Sequence, residues 1–229
     1  MYKNVKILDK DKFKGIKFNE VNLVGVAKNV GLIPVGFTEV WNASHDCPVV
    51  IGTGDYAEFL AFTGVTKEVT IFNKEEAYMP LFIRSYPFLN LLVKGEKGEL
   101  NNVIAIDDNS DFVAKNKKHL IIAKDKNLTK EASAKVELVR ELTRQRDVSK
   151  KIIEELKSHD LLVKKDLKVN INNEEKTILE EFYIINIEKL TALDDATLAT
   201  WARKGWMGVF DAHLKSLGNF QKVLSSTKA

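Results

Sequence analysis

Residues 128–158 read as one long amphipathic helix, and no other segment constrains the fold as much. Leu138, Leu142, Ile152 and Leu156 recur at three- and four-residue spacing on a single face. Thr129, followed by the acidic Glu131, marks its start. Gln145 and Ser149 fall on the same apolar face, which predicts a partly wet seam or a break near Asp147. Arg140, Arg144 and Arg146 interleave with Glu137, Glu141 and Asp147, so the opposite face reads as a salt-bridged, solvated surface rather than a basic stripe.

Strand-like segments flank this helix on both sides. Before it, Cys47 to Ile51 reads as a buried strand ending at Gly52-Thr53-Gly54. Val69 to Phe72 and His119 to Ala123 are further strand candidates. Leu89 to Val93 and Val103 to Ile106 flank a hairpin loop at residues 94–98. A short helix is expected after Pro80, ended by Pro87. After the long helix, Leu167, Val169 and Ile171 alternate with polar residues, and a return strand from Ile178 completes a second hairpin turning at Asn172-Asn173. The last forty residues predict a helix capped by Asp194 or Asp195 and stopped at Gly205, then another from Trp206 to Leu217 stopped at Gly218. Segregated strands and helices give an α+β fold. A β-rich part, 1–125, and a part of helix, hairpin and helices, 126–229, are expected to form one domain of 229 residues, neither part folding alone.

Composition excludes several function classes. The chain has 35 basic and 32 acidic side chains, a balance too even for a nucleic-acid footprint. A single cysteine, Cys47, can form no internal disulfide and no cysteine-rich zinc module. No window holds the roughly 20 apolar residues that span a bilayer, and the charged N-terminus lacks the apolar run of a secretory signal. The expectation is a soluble, cytoplasmic protein.

Motifs that carry chemistry fail on particular residues. His45, His119, His159 and His213 show no helical pair spacing for a shared metal. In His45-Asp46-Cys47, neighbouring side chains point in different directions. Asp107-Asp108-Asn109-Ser110-Asp111 opens like a calcium loop, but Phe112 and Lys118 replace the required Gly and Glu, leaving a solvated acidic turn. Gly52-Thr53-Gly54 lacks a phosphate-binding continuation. Glu39, flanked by Phe37 and Trp41, could titrate high beside apolar rings, though such carboxylates are more often exposed or paired with Arg. Tyr78, Arg84, Tyr86 and Trp41 could line a groove, with Arg84 holding a carboxylate or phosphate, although the 78–83 segment reads more readily as core. Trp201 to Trp206 reads as a helix end whose Arg203 and Lys204 complement the dipole. Glu39, Tyr78, Arg84 and Tyr86 are thus the ligand-binding candidates. No catalytic residue, metal or cofactor is assigned.

Several segments together resemble the bacterial SapC family. They include Ile7 to Lys12, Leu32-Ile33-Pro34-Val35 with Glu39, and His45 to Ile51. The most specific is Tyr78-Met79-Pro80-Leu81-Phe82-Ile83-Arg84-Ser85-Tyr86-Pro87-Phe88. Ile104 to Asp107, Phe182 to Asn186 and the run from Leu190 to Leu217 continue the likeness in the same order. Phe13 stands where many members have His. The family is named after a protein of the paracrystalline surface layer of a bacterial pathogen and has no settled cofactor or catalytic residues. The resemblance implies a non-enzymatic accessory factor of surface-layer or cell-surface biogenesis that works through a protein partner. The alternative is a cytoplasmic module holding a peptide or small molecule for a partner enzyme. A hydrolase or metal enzyme using Glu39, His45 and Asp107 ranks last.

Overall fold

The structure is a computed structural model that describes residues 1–54, 57–74, 76–95, 98–108, 111–171 and 174–225, the side chain of Ile171 excepted. In chain order the strands are β1 (Val5–Ile7), β2 (Lys17–Phe18), β3 (Leu32–Pro34), β4 (Val49–Ile51), β5 (Phe59–Phe62), β6 (Phe88–Lys94), β7 (Leu100–Asp107), β8 (Val113–Ala114), β9 (His119–Leu120), β10 (Leu162–Ile171) and β11 (Glu174–Ile185). The helices are α1 (Leu23–Ala27), α2 (Glu39–Ala43), α3 (Leu81–Arg84), α4 (Lys130–Ser158), α5 (Ile187–Thr191), α6 (Asp195–Arg203), α7 (Trp206–Ser216) and α8 (Phe220–Leu224). The fold is α+β, 37% helical and 27% strand. Two compact units divide the chain: residues 1–27 with 81–144, and residues 28–80 with 145–229. Helix α4 is continuous, and its residues through Arg144 count with the first unit.

The first unit holds two small antiparallel sheets, ordered β1-β7-β6 and β8-β2-β9. Phe18, Phe88, Ile106, Val113 and Ile121 pack against Ala132, Val136 and Val139 of α4. Phe13 is part of this core, 4% exposed. The Phe13 side chain therefore works as core. The start of α4 is fixed as the sequence suggests: Thr129 Oγ1 accepts the amide of Ala132 at 3.3 Å. Glu137 and Glu141 pair with Arg144 at 3.0 and 2.6 Å on the exposed face.

The second unit is a five-stranded antiparallel sheet, β10-β11-β4-β5-β3, with α2 and α7 in mutual contact and α7 against β4 and β11. The sheet joins strands from well before α4 to the hairpin after it. Gln145 and Ser149 are both buried in α4, at 7% and 0% exposure, and the helix does not break there. Ser149 satisfies its hydroxyl on the carbonyl of Gln145 at 3.0 Å.

Several expectations about local structure are corrected. Residues Ile71–Asn73 form a 3-10 turn rather than a strand, because Thr70 caps it by accepting the amide of Phe72. Helix α7 ends at Ser216, next to the expected end, but the chain does not stop being helical at Gly218: Leu217–Asn219 is a 3-10 turn that leads into α8. Asp194 caps α6 through Thr197, and Gly205, at φ 74°, separates α6 from α7 as read. The expected turn at Asn172-Asn173 and part of the loop at residues 94–98 lie outside the described residues.

The sheet of the second unit contains a side chain where a backbone rung belongs. Between β4 and β5 the hydrogen bonds are made by Pro48 and Gly52, with Phe62 and Glu58 opposite. Alternation along an antiparallel ladder therefore turns Val49 toward β11. Tyr183 faces Ile51 across β11 and β4, so the next rung would join Val49 to Ile185. His213 of α7 occupies that rung instead. Its Nδ1 lies 2.7 Å from the carbonyl of Val49, and its Nε2 accepts the amide of Ile185 at 3.1 Å. Ser216 Oγ accepts the amide of Val49 at 2.8 Å and donates to the carbonyl of His213. The bonds demand the neutral tautomer with its proton on Nδ1. Burial pushes the imidazole down to about 4, only partly opposed by its bond to Val49.

A folded-state value below that of free histidine means that the folded chain binds fewer protons there. The stability this provides is present above about pH 6.5 and is lost as pH falls toward 4. Urea unfolding should show a loss of about 2 kcal/mol from this group between pH 7 and pH 5. His213→Gln should lower stability at pH 7 and remove that share of the pH dependence. An identical pH slope in the two proteins would overturn the assignment.

Candidate functional site

The four candidate residues fall two and two. Glu39 and Tyr78 belong to the second unit, and Arg84 and Tyr86 to the first.

Glu39 opens α2 and is 3% exposed. Its backbone amide reaches the carbonyl of Gly36 at 2.9 Å, and its Oε2 accepts the amide of Gly36 at 2.9 Å. This reciprocal pair has the logic of a capping box, in which a first-turn carboxylate satisfies the amide at the helix entrance. Its Oε1 accepts the phenol of Tyr78 at 2.9 Å. Tyr78 is held at its backbone as well, its amide donating to Asp46 Oδ2 at 2.9 Å. Glu39 is therefore buried, bonded to a backbone amide and to a phenol. It and Asp46 pin the 78 segment to the entrance and exit of α2. Gly36 is required here by space, because a Cβ would lie 2.5 Å from the Cβ of Gln145.

The other residues of this stretch diverge, as their adjacency suggests. His45 turns its Nδ1 to the carbonyl of Trp41 at 2.9 Å, and its ring meets Trp41 edge-on. Cys47 is buried, bonds the carbonyl of Ala43, and has its thiol pushed up to about 12 by burial first and Asp46 second. Trp41 is 52% exposed.

In the first unit, Tyr86 and Asp107 form a buried pair. Asp107 is the last residue of β7 and has no exposed surface, which corrects its reading as a solvated turn. Its Oδ2 accepts the phenol of Tyr86 at 2.8 Å. Its Oδ1 accepts the amides of Asn4 at 2.7 Å and Lys3 at 3.1 Å. The carboxylate thus fastens the segment before β1 onto the end of β7. Tyr2 meets Phe82 edge-on and lies tilted against Tyr86, and its phenol is raised by burial, then by Tyr86 and Asp107. Asn109 and Ser110 of the calcium-like run lie outside the described residues. The Tyr86–Pro87 peptide is cis, and α3 ends at Arg84, just ahead of it.

Arg84 differs from the other three. It is exposed and makes no ion pair among the described residues. Its carbonyl accepts the ammonium of Lys135 from α4. Lys135 is lowered by burial first and by the Arg84 guanidinium second, with Glu20 opposing. Among the described residues, no group of three or more His, Cys, Asp or Glu is placed to hold a metal ion. No helix of the described residues is long and apolar enough to cross a membrane.

The Tyr78-to-Phe88 block, the most specific part of the likeness, is thus built into both anchoring networks. The SapC family profile matches residues 8–223 of the 229-residue chain. The chain belongs to the SapC family. No curated protein and no solved structure matches it. Membership in the SapC family sets the kinship of the chain without assigning any of these residues a reaction.

Sequence reasoning passed over His213, Gly36 and the role of Asp107. A signal existed only for Gly36, a glycine three residues before a helix-opening Glu. Tyr86→Phe should cost about 1.5–3 kcal/mol of stability, because it strips a buried carboxylate of a charge-assisted bond. Tyr78→Phe, at a half-buried position, should cost less than about 1.5 kcal/mol. Urea unfolding of both variants checks the ranking, and the reverse order would refute it.

Proposed function

We propose that this SapC-family protein is a non-enzymatic accessory factor of bacterial surface-layer or cell-surface biogenesis, acting through a protein partner. The reading is supported by one observation above others, the edge presented by β6. The bonds Gly95 to Glu99 and Asp107 to Pro87 set the alternation of the β6–β7 ladder. They turn the backbone groups of Asn90, Leu92 and Lys94 away from β7, and β6 has no other strand beside it among the described residues. Leu92 and Leu100 share one face of this hairpin and are 54% and 58% exposed. The seven-residue edge carries no charge before Lys94 and no bulge. Such an edge accepts an added strand, with backbone bonds giving affinity and the two leucines giving selectivity.

Residues 1–229 are taken as a single domain, since α4 runs unbroken from one unit into the other. The engagement of Glu39, Tyr78 and Tyr86 in internal bonds supports a protein-contact role over chemistry at those residues. The second reading is the binding module. It rests on Arg84, an exposed guanidinium without an ion pair among the described residues, suited to a carboxylate or phosphate of a bound peptide or small molecule.

Deletion of the gene in the source bacterium should deplete surface-layer protein from the cell surface. Leu92→Lys with Leu100→Lys should reproduce that loss while leaving the purified protein folded. Arg84→Ala should leave the surface layer unchanged, and under the second reading should instead abolish binding of a carboxylate-bearing peptide or small molecule. A normal surface layer in the deletion strain would sink the proposal.

A further inference from the structure

The second unit contains a small cleft between two glycine turns, Asn29-Val30-Gly31 and Gly64 to Thr70. Its volume is about 180 Å3, roughly ten times the ~10–15 Å3 that one water needs. We propose that this cleft binds a tetrahedral oxyanion, phosphate or sulfate, free or as the terminal group of a larger molecule. The proposal does not depend on the protein-contact reading.

Three observations carry it. The first is charge. Lys28 and Lys67 both line the cleft, no carboxylate does, and neither lysine makes an ion pair among the described residues. This is unusual in a chain with 35 basic and 32 acidic side chains. The larger cleft of the first unit, about 560 Å3, balances Lys6 and Lys12 against Asp9 and Asp108. Glu68, the carboxylate of the 64–70 turn, is not among the lining residues.

The second is a hydroxyl with one role left. Thr66 Oγ1 accepts the amides of Glu68 and Val69, each at 3.2 Å. Two accepted bonds use its lone pairs, so its remaining capacity is to donate its proton. A donor beside two ammonium groups suits an acceptor-only ligand.

The third is rigidity. Thr63 Oγ1 donates to the carbonyl of Val30 at 2.8 Å, and Thr70 Oγ1 donates to the carbonyl of Thr63 at 3.0 Å. A Cβ on Gly31 would lie 2.6 Å from the carbonyl oxygen of Gly64. The two turns are therefore stapled at a separation that only glycine allows, and the cleft is formed before any ligand arrives. Preformed donors bind without an ordering cost. Lys28 is half-buried, which limits the freedom its side chain gives up.

Titration of the full chain with sodium phosphate and with sodium sulfate, followed by amide NMR, tests this. Saturable shifts confined to the amides of residues 28–31 and 64–70 are expected, with sodium chloride at equal ionic strength producing none. Lys28→Gln and Lys67→Gln should each weaken binding about fivefold. Thr66→Val, which removes the hydroxyl, should weaken it as well, with ligand-free amide shifts limited to the 64–70 turn, where Glu68 and Val69 lose their acceptor. Phosphate shifting and sulfate not would assign the site to phosphate groups, and the reverse to sulfate groups. Shifts that chloride reproduces, that fail to saturate, or that survive both lysine substitutions unchanged would overturn the proposal.

Discussion

The second unit depends on a histidine standing in for a strand. Val49 lies in a three-residue strand with no exposed surface, so its amide and carbonyl need partners that water cannot supply. The neighbouring strand reaches Ile51 through Tyr183 and then yields the next rung to α7. An imidazole can fill that gap because it carries a donor and an acceptor on opposite sides of a flat ring. The side chain that joins β4 to β11 also fixes the position of α7 on the sheet. Ser216, three residues on and so on the same helix face, takes the remaining amide of Val49. Sheet, helix and loop entrance are set by two side chains of one helical turn.

Buried carboxylates do comparable work elsewhere. Glu39 meets a glycine amide and a phenol, and Asp107 meets two amides and a phenol. Each faces backbone groups that have left regular structure, one at the entrance of α2 and one before β1. An ionised oxygen accepting amides makes stronger bonds than a neutral one, which suits it to holding irregular chain. Both carboxylates are buried and engaged by these internal bonds. Residues that look chemical in sequence are here the fasteners of loops.

What could be read beforehand follows from the range of the forces involved. Helix α4, the two hairpins, the cap at Asp194 and the stop at Gly205 are set by neighbours within a few residues, and each was legible. The rung made by His213 joins residues 164 apart, and nothing near position 213 announces it. Gln145 looked like a flaw in an apolar face because Gly36, whose missing side chain makes room for it, lies more than one hundred residues earlier. Val69 to Phe72 has strand composition, yet the hydroxyl of Thr70 captures the amide of Phe72 and bends the chain into a 3-10 turn. Among the candidate residues, the contrast between buried and exposed was hidden, as were the pairings of Glu39 with Tyr78 and of Tyr86 with Asp107. Glu39 and Tyr86 went inside, while Arg84 stayed outside.

The sheet edges show where pairing has been discouraged and where it has not. β10 carries Lys164, Lys165, Asp166 and Lys168, and its register is interrupted twice against β11. β3 has three residues and ends in Pro34, and β1 is equally short with Lys6 at its centre. β8 and β9 are two residues each. These are the usual means of denying an edge to another chain: charge, bulge, proline and brevity. β6 uses none of them over Phe88 to Val93. An unguarded apolar edge risks aggregation, so its survival beside five guarded ones requires something that offsets the risk. A strand supplied by a partner would do so, because pairing removes the hazard and provides the contact in one step.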